Sequence, residues 1–388
     1  MTYKHLGDYI REVNVRNRDE KVTNLQGVSI SKTFIPSIAN TIGTDMSTYK
    51  IVKSGQFAYG PVTSRNGDKV SIALYEEKED AIISQAYTVF DIIDKNEVSN
   101  KYLMMWFQRP EFDRYARFHS HGSAREIFDW DELCNVMVPL PSIERQREIV
   151  EEYETLSRRI SLNEQMIQHL ESTAQTLYRK MFVDGIDKEN LPEGWRMGTL
   201  GEICEINTIS VPTTNKQKIR YLDSGSVTNN VFDSYQILDP LVDEIPSRAK
   251  RKVLNHDILY STVRPNLLHY GIVMEPNVDD IVVSTGFAVI RSIDTRFSNE
   301  LLYLILTDAN NTEMLQGIAE MSKATYPSIT PDNIMAIKFA ISNDFEKNCN
   351  SLNQQLIVIN KTSYLYKQEI FKLKELQSLL LAKMGNLK

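Results

Sequence analysis

The stretch IVEEYETLSRRISLNEQMIQHLESTAQTLYRKM, residues 149–181, carries a side-chain pattern that repeats at alternating steps of four and three. The series runs Ile149, Tyr153, Leu156, Ile160, Asn163, Ile167, Leu170, Ala174, Leu177 and Met181. An α-helix turns once every 3.6 residues, so these positions share one narrow face, the heptad seam of a coiled coil. The same rhythm returns at Phe345, Cys349, Leu352, Leu356, Ile359, Ser363, Tyr366, Ile370, Leu373, Gln377, Leu380 and Met384. A shift of 203 positions lands every member of the first seam on the second. Neither stretch contains proline, and Gly185 and Gly385 stand just past the ends as stop signals. Residues 142–194 hold 7 Lys+Arg against 11 Asp+Glu, whereas 342–388 hold 7 against 4. Opposite charge predicts that the two helices pack on each other rather than on copies of themselves. They are expected to run antiparallel. Asn163, Ser363 and Gln377 either fix the register or mark water-exposed fraying.

Working outward, the remainder of the chain is also written twice. Leu6-Gly7-Asp8-Tyr9-Ile10 is answered by Leu200-Gly201-Glu202-Ile203-Cys204, 194 positions later. Phe57-Ala58-Tyr59 pairs with Ile258-Leu259-Tyr260 at 201, Ile82-Ile83-Ser84 with Val282-Val283-Ser284 at 200, and Ser99-Asn100 with Ser298-Asn299 at 199. Phe128-Asp129-Trp130-Asp131-Glu132-Leu133 matches Ile329-Thr330-Pro331-Asp332-Asn333-Ile334, again at 201. Their common order and near-constant offset identify an internal duplication. Each copy opens with short β-type runs (70–75, 87–92, 280–284, 287–290) between turn signals. One helix per copy is expected, over 99–116 and 299–317. The reading is two α/β (α+β) globular domains, 1–141 and 195–341, each followed by a coiled-coil helix, 142–182 and 342–388. A linker, 183–194, closes on Leu191-Pro192-Glu193-Gly194-Trp195. Antiparallel helices would give the duplicated chain a pseudo-two-fold axis. A 33-residue helix is about 50 Å long, against about 34–36 Å per turn of B-DNA, so the helices would act as a ruler between two domains.

The 388 residues carry a net charge of −7, unlike most free nucleic-acid-binding domains, so any DNA surface must be local. No apolar run reaches the roughly 18–20 residues of a membrane span. MTYKHLGDYI lacks the apolar stretch of a signal peptide, which predicts a cytoplasmic location. Cys134, Cys204 and Cys349 lie far apart, with no CxxC pair to suggest a disulfide framework or zinc site. There is no G-x-G, no G-x-x-x-x-G-K-[ST] and no Pro-Pro pair, so the usual dinucleotide, phosphate and amino-methyltransferase loops are missing. Asp68 with Glu76-Glu77-Lys78 imitates a metal-dependent nuclease triad, but a solvated charge run is the plainer reading. His119-Ser120-His121 could suggest a metal pair, but no third ligand is nearby.

The layout resembles the specificity subunits of Type I restriction-modification systems. The resemblance rests on Leu6-Gly7-Asp8, Leu200-Gly201-Glu202, the Leu191–Trp195 linker and Val138-Pro139-Leu140-Pro141 followed by Glu144-Arg145-Gln146-Arg147-Glu148-Ile149. It covers essentially the whole chain. The second copy departs from it, with Phe339-Ala340-Ile341-Ser342 in place of the proline-rich approach and no E-R-Q run at 344–347. The resemblance implies two target recognition domains, each reading half of a bipartite site on double-stranded DNA. It further implies two methyltransferase subunits docked on the helices and two restriction/motor subunits in the full complex. The chain itself would be non-catalytic and bind no cofactor. S-adenosylmethionine, ATP and Mg²⁺ would belong to the partners.

Base reading needs Arg, Asn and similar side chains on loops. In the first domain the candidates are Arg65, Asn66 and Lys69, then Arg114, Arg117, His119, His121, Ser123 and Arg125 with Tyr115 and Phe118 interleaved. In the second they are Arg248, Lys250, Arg251 and Lys252, then Arg264 and Asn266, then Lys323, Thr325 and Tyr326. For each group an ordinary solvated loop is the plainer alternative. The candidate coiled-coil and partner residues are those of the seam: Ile149, Tyr153, Leu156, Ile160, Ile167, Leu170, Leu177, Leu352, Leu356, Ile359, Tyr366, Ile370, Leu373 and Leu380. A competing reading is a two-domain coiled-coil scaffold for protein interactions that never touches DNA.

Overall fold

The computed structural model describes residues 3–37, 43–64, 66–122, 125–211, 217–322, 326–342 and 345–385. Its contacts divide the chain into two compact units, residues 1–162 with 370–388, and residues 163–369. Each unit holds three layers. In the first, a four-stranded sheet is ordered Ile10–Val13, Thr88–Ile92, Phe57–Tyr59, Ile72–Leu74. Alternate side chains leave it in opposite directions, as strand geometry requires. Phe57, Tyr59, Ile72, Phe90 and Ile92 join the core under the helices. Ala58, Ala73 and Val89 meet Val28, Val52, Ala81 and Ile83 of a second sheet. That second sheet is ordered Phe34–Pro36, Leu25–Val28, Ala81–Ile83, Lys50–Val52. Burial on both faces explains why these strands read as continuous apolar runs.

The second unit repeats this topology strand for strand. Cys204–Ile206, Phe287–Ser292, Ile258–Ser261 and Tyr270–Ile272 form one sheet; Gln236–Leu238, Ile219–Leu222, Ile281–Ser284 and Ala249–Lys252 form the other. A short hairpin, Val227–Thr228 with Val231–Phe232, is peculiar to this copy among the described residues. Each unit also closes a two-stranded ribbon, Tyr3–His5 on Met137–Pro139 and Trp195–Thr199 on Lys338–Ser342. The duplication is therefore one of fold.

The matched motifs have local causes. Leu6–Asp8 and Leu200–Glu202 are single 3-10 turns, and the amides of Leu6 and Leu200 donate to Val136 and Ile337, each at 2.9 Å. A Cβ on Gly7 would lie 2.8 Å from that of Cys134, so glycine is needed for this approach. The Ser99 and Ser298 side chains accept from Tyr102 N and Leu301 N, capping the next helix. The single helix expected over 99–116 is instead two, Asn100–Phe107 and Pro110–Phe118. Pro110 has no amide to continue the ladder and forces Arg109 into extended backbone. In the second copy Asn299–Leu306 and Ala309–Glu320 are separated by Asp308, whose side chain caps Asn310 N.

The long helices span Ile143–Phe182 and Phe345–Met384, 40 residues each. Every seam residue from Ile149 to Met181 and from Cys349 to Met384 is buried or half-buried; the Phe345 side chain lies outside the described residues. Within the first unit, Ile149 and Val150 share a core with Leu381 and Met384, and Gln377 Nε2 donates to Ser157 Oγ at 2.7 Å. Within the second, Ala174, Tyr178 and Phe182 share a core with Cys349, Leu352 and Leu356. Both packings are antiparallel. Glu171 pairs with Lys367 at 3.8 Å, with the charge signs the sequence predicts. Burial pushes the Cys349 thiol up to about 12, that of an inert core residue. No helix among the described residues is long and apolar enough to cross a membrane.

Candidate nucleic-acid interface

In the first domain, two loops whose paired positions lie 63 to 67 residues apart in sequence are held edge to edge by backbone bonds. Thr63 N donates to Glu126 O at 3.0 Å and Phe128 N to Pro61 O at 2.8 Å, with Val62 bridging Ile127 between them. The Thr63 hydroxyl adds a bond to Ser120 Oγ at 2.9 Å. In the second domain Arg264 N donates to Pro327 O at 3.0 Å and Ile329 N to Thr262 O at 2.9 Å, with Val263 bridging Ser328. All six positions correspond at an offset of 201. The fold thus brings together, in each copy, loops that the sequence nominates separately.

Their side chains differ. In the first copy Asn66 Nδ2 donates to Val62 O at 3.2 Å, closing its own turn, while Lys69 is exposed. Arg117 is paired with Glu126, and Arg114 with Glu111 at 3.1 Å. His119 Nδ1 lies 3.1 Å and His121 Nε2 3.9 Å from Glu132, a carboxylate that sequence proximity does not reveal. The His119 ring stacks on Tyr115 at 4.2 Å. His121 and Ile127 exchange both backbone bonds, and Gly122 turns between them at φ +134°. Arg125 is exposed, and neither it nor Lys69 has an ion pair among the described residues. Arg65 and Ser123 lie outside the described residues.

In the second copy, the Arg264 guanidinium sits 5.3 Å over the ring of Tyr326, which is 58% exposed. Arg264 adopts left-handed backbone, φ +49°, as does Leu268 at +55°. Asn266 is exposed, its amide donating to Gln316 Oε1 at 3.2 Å. Lys323 and Thr325 lie outside the described residues. The basic run Arg248–Lys252 has a different setting from the expected loop: Ala249–Lys252 is an edge strand. Arg248 and Lys250 face solvent, and Lys252 is half-buried. Arg251 turns inward, donating to Asn207 Oδ1 at 2.6 Å and to Phe287 O, and burial lowers its pKa. Residues 209–211 bond to the outer edge of that strand, Val211 N donating to Lys250 O at 2.9 Å and Lys252 N to Ile209 O at 3.2 Å.

Gln146, within the E-R-Q stretch, has a structural part that its sequence does not announce. It accepts from Ser99 N at 2.9 Å and donates to Glu97 O and Pro141 O at 2.8 and 2.9 Å, fully buried. Asn353 does the same in the second copy, accepting from Ser298 N at 3.1 Å and donating to Arg296 O at 2.8 Å. That is how the second helix manages without the run. Lys32, also missed, is buried and bonds Asp113 at 2.7 Å, and Asp113 further accepts from Val70 N at 3.0 Å. Among the described residues no three His, Cys, Asp or Glu side chains form a cation site.

Residues 27–172 match the family described as the Type I restriction modification DNA specificity domain. Over 147 residues the chain is 31% identical to the specificity subunit of the Type I restriction enzyme HindI of Haemophilus influenzae, covering 38% of this chain and 31% of that relative. The match spans about a third of the relative's length. The fold of the S subunit of a Type I restriction-modification system from M. genitalium aligns with 99% of this chain and 95% of that one, at TM-score 0.60 and 12% identity. In sequence, residues 27–172 are similar to that specificity domain. The matched domain takes in both clipped loops of the first copy and the first 30 residues of the first long helix.

Proposed function

We propose that this chain reads DNA sequence for a Type I restriction-modification enzyme, each α/β domain recognising one half of a bipartite target on double-stranded DNA. The observation that carries the reading is the pair of clipped loops. The same backbone frame occurs in both copies, but it presents Lys69, Arg125 and the His119–Tyr115 stack in one and Arg264 on Tyr326 in the other. Two frames of one shape with different donors are what two different half-sites require. The long helices serve as the docking surface for two methyltransferase subunits, and two restriction/motor subunits complete the assembly. S-adenosylmethionine, ATP and Mg²⁺ are held by those partners. An electrophoretic shift with the methyltransferase present tests this. The complex should prefer its methylation target over random duplex, and equal affinity for both would refute DNA reading.

A further inference from the structure

Phe118 ends the second short helix of the first domain with 81% of its surface exposed, and Met321 caps the corresponding helix of the second domain at 84%. Outside residues 231–242, no other large apolar side chain among the described residues exceeds 64%. Each stands one or two residues before a serine that ties the helix end to the clipped loops. Ser120 Oγ accepts from Thr63 Oγ1 at 2.9 Å, and Ser322 Oγ accepts from Ser328 N at 3.4 Å. Phe118 is braced from behind: it meets His119 edge-on at 5.2 Å, His119 stacks on Tyr115, and Tyr115 packs against the buried Phe128 at 6.3 Å. An exposed cationic side chain shares each loop cluster, Arg125 in one copy and Arg264 in the other, while Arg114 is paired with Glu111.

Exposing this much apolar surface is unfavourable in the free protein, and surrounding cations favour a polyanion as its cover. We propose that Phe118 and Met321 are DNA wedges, each inserting its side chain between base steps and unstacking them locally, an inference that rests on the DNA-reading function above. Phe and Met are both side chains used for such insertion. The loops differ between copies, as base reading demands, whereas a protruding apolar side chain is common to both. A shared feature suits a shared mechanical task, deformation of the duplex, better than recognition of one base. Contact with a thymine methyl group is the competing mode.

The test uses the full chain with its methyltransferase partner and duplexes carrying the methylation target, with 2-aminopurine placed singly at successive steps. Fluorescence should rise severalfold at one step in each half-site. Phe118→Ala should abolish the rise in one half and Met321→Ala in the other, both with weakened binding, while Phe118→Leu keeps part of each effect. An abasic nucleotide at the same step should restore affinity to the alanine variants, because the unstacking is already done. No rise at any step, or an unchanged rise in both alanine variants, would overturn the proposal. So would an affinity loss that uracil-for-thymine replacement reproduces without any change in stacking. If the unaltered complex shows no target preference, the DNA-reading function itself fails, which the first titration reveals before any variant is used.

Discussion

The amide of Thr63 donates to the carbonyl of Glu126 at 3.0 Å, and 201 positions later the amide of Arg264 donates to the carbonyl of Pro327 at the same length. Backbone groups make both bonds, so side chains are free to vary without loss of the frame. A recognition surface built this way can be duplicated and then diverge. The buried Thr63 hydroxyl reinforces the frame in one copy, whereas an exposed guanidinium occupies the same place in the other.

Arg264→Gly should separate stability from recognition. Left-handed backbone is costly for arginine and free for glycine, so the melting temperature should hold or rise. A bidentate arginine–base contact is worth about 1–3 kcal/mol, so affinity for the target duplex should fall roughly 10- to 100-fold by fluorescence anisotropy. Unchanged affinity would remove Arg264 from the interface.

Gln146→Ala should destabilise the first unit. It removes the partner of Ser99 N and Glu97 O, whose bonds are half-buried, and of Pro141 O, whose bond is buried. An unsatisfied buried group costs about 1–3 kcal/mol. Urea unfolding should show a loss in that range. Gln146→Glu should not rescue it, because a carboxylate cannot donate to the two carbonyls. Asn353→Ala should weaken the second unit in the same way.

Lys32 and Asp113 form a buried pair whose members depend on each other. Burial pulls the Lys32 ammonium below its usual range, against the pull of Asp113. Lys32→Met should cost about 3–5 kcal/mol by leaving a buried carboxylate uncompensated. The double variant Lys32→Met, Asp113→Asn should recover much of that loss, since Asn can still accept from Val70 N. A purely additive double-mutant cycle would contradict the coupling.

What could be read ahead of the structure depended on whether the physical cause was local. The seam was legible because helical periodicity places Ile149 through Met181 on one face with no help from the rest of the chain. Ser99 and Ser298 were visible as recurrent residues because capping acts within three positions. The break at Pro110 was legible in principle but lost to the apolar run Tyr102–Phe107 ahead of it. The loop clip was not legible, because a backbone bond from Thr63 to Glu126 leaves no mark on either side chain. Arg251 read as part of a basic surface patch because a charge run does not show which members turn inward. Glu132 reaches His119 and His121 only after the chain has folded back.

Leu381→Ala should be felt in the first domain, although Leu381 lies at the far end of the sequence. Its side chain shares a core with Leu6, Phe57 and Phe90. A buried leucine-to-alanine change costs about 2–5 kcal/mol. Hydrogen exchange should therefore quicken in strands Phe57–Tyr59 and Thr88–Ile92. Protection unchanged there would mean the helix end contributes nothing to that unit.

The central claim is that the two copies read two halves of one DNA target. Genome-wide mapping of modified adenines in cells carrying the unaltered chain, no chain, or a chain with both Arg264→Ala and Tyr326→Ala tests it most directly. The account predicts a bipartite motif that disappears without the chain and relaxes in one half only in the double variant. A methylation pattern that does not change when the chain is removed would contradict it.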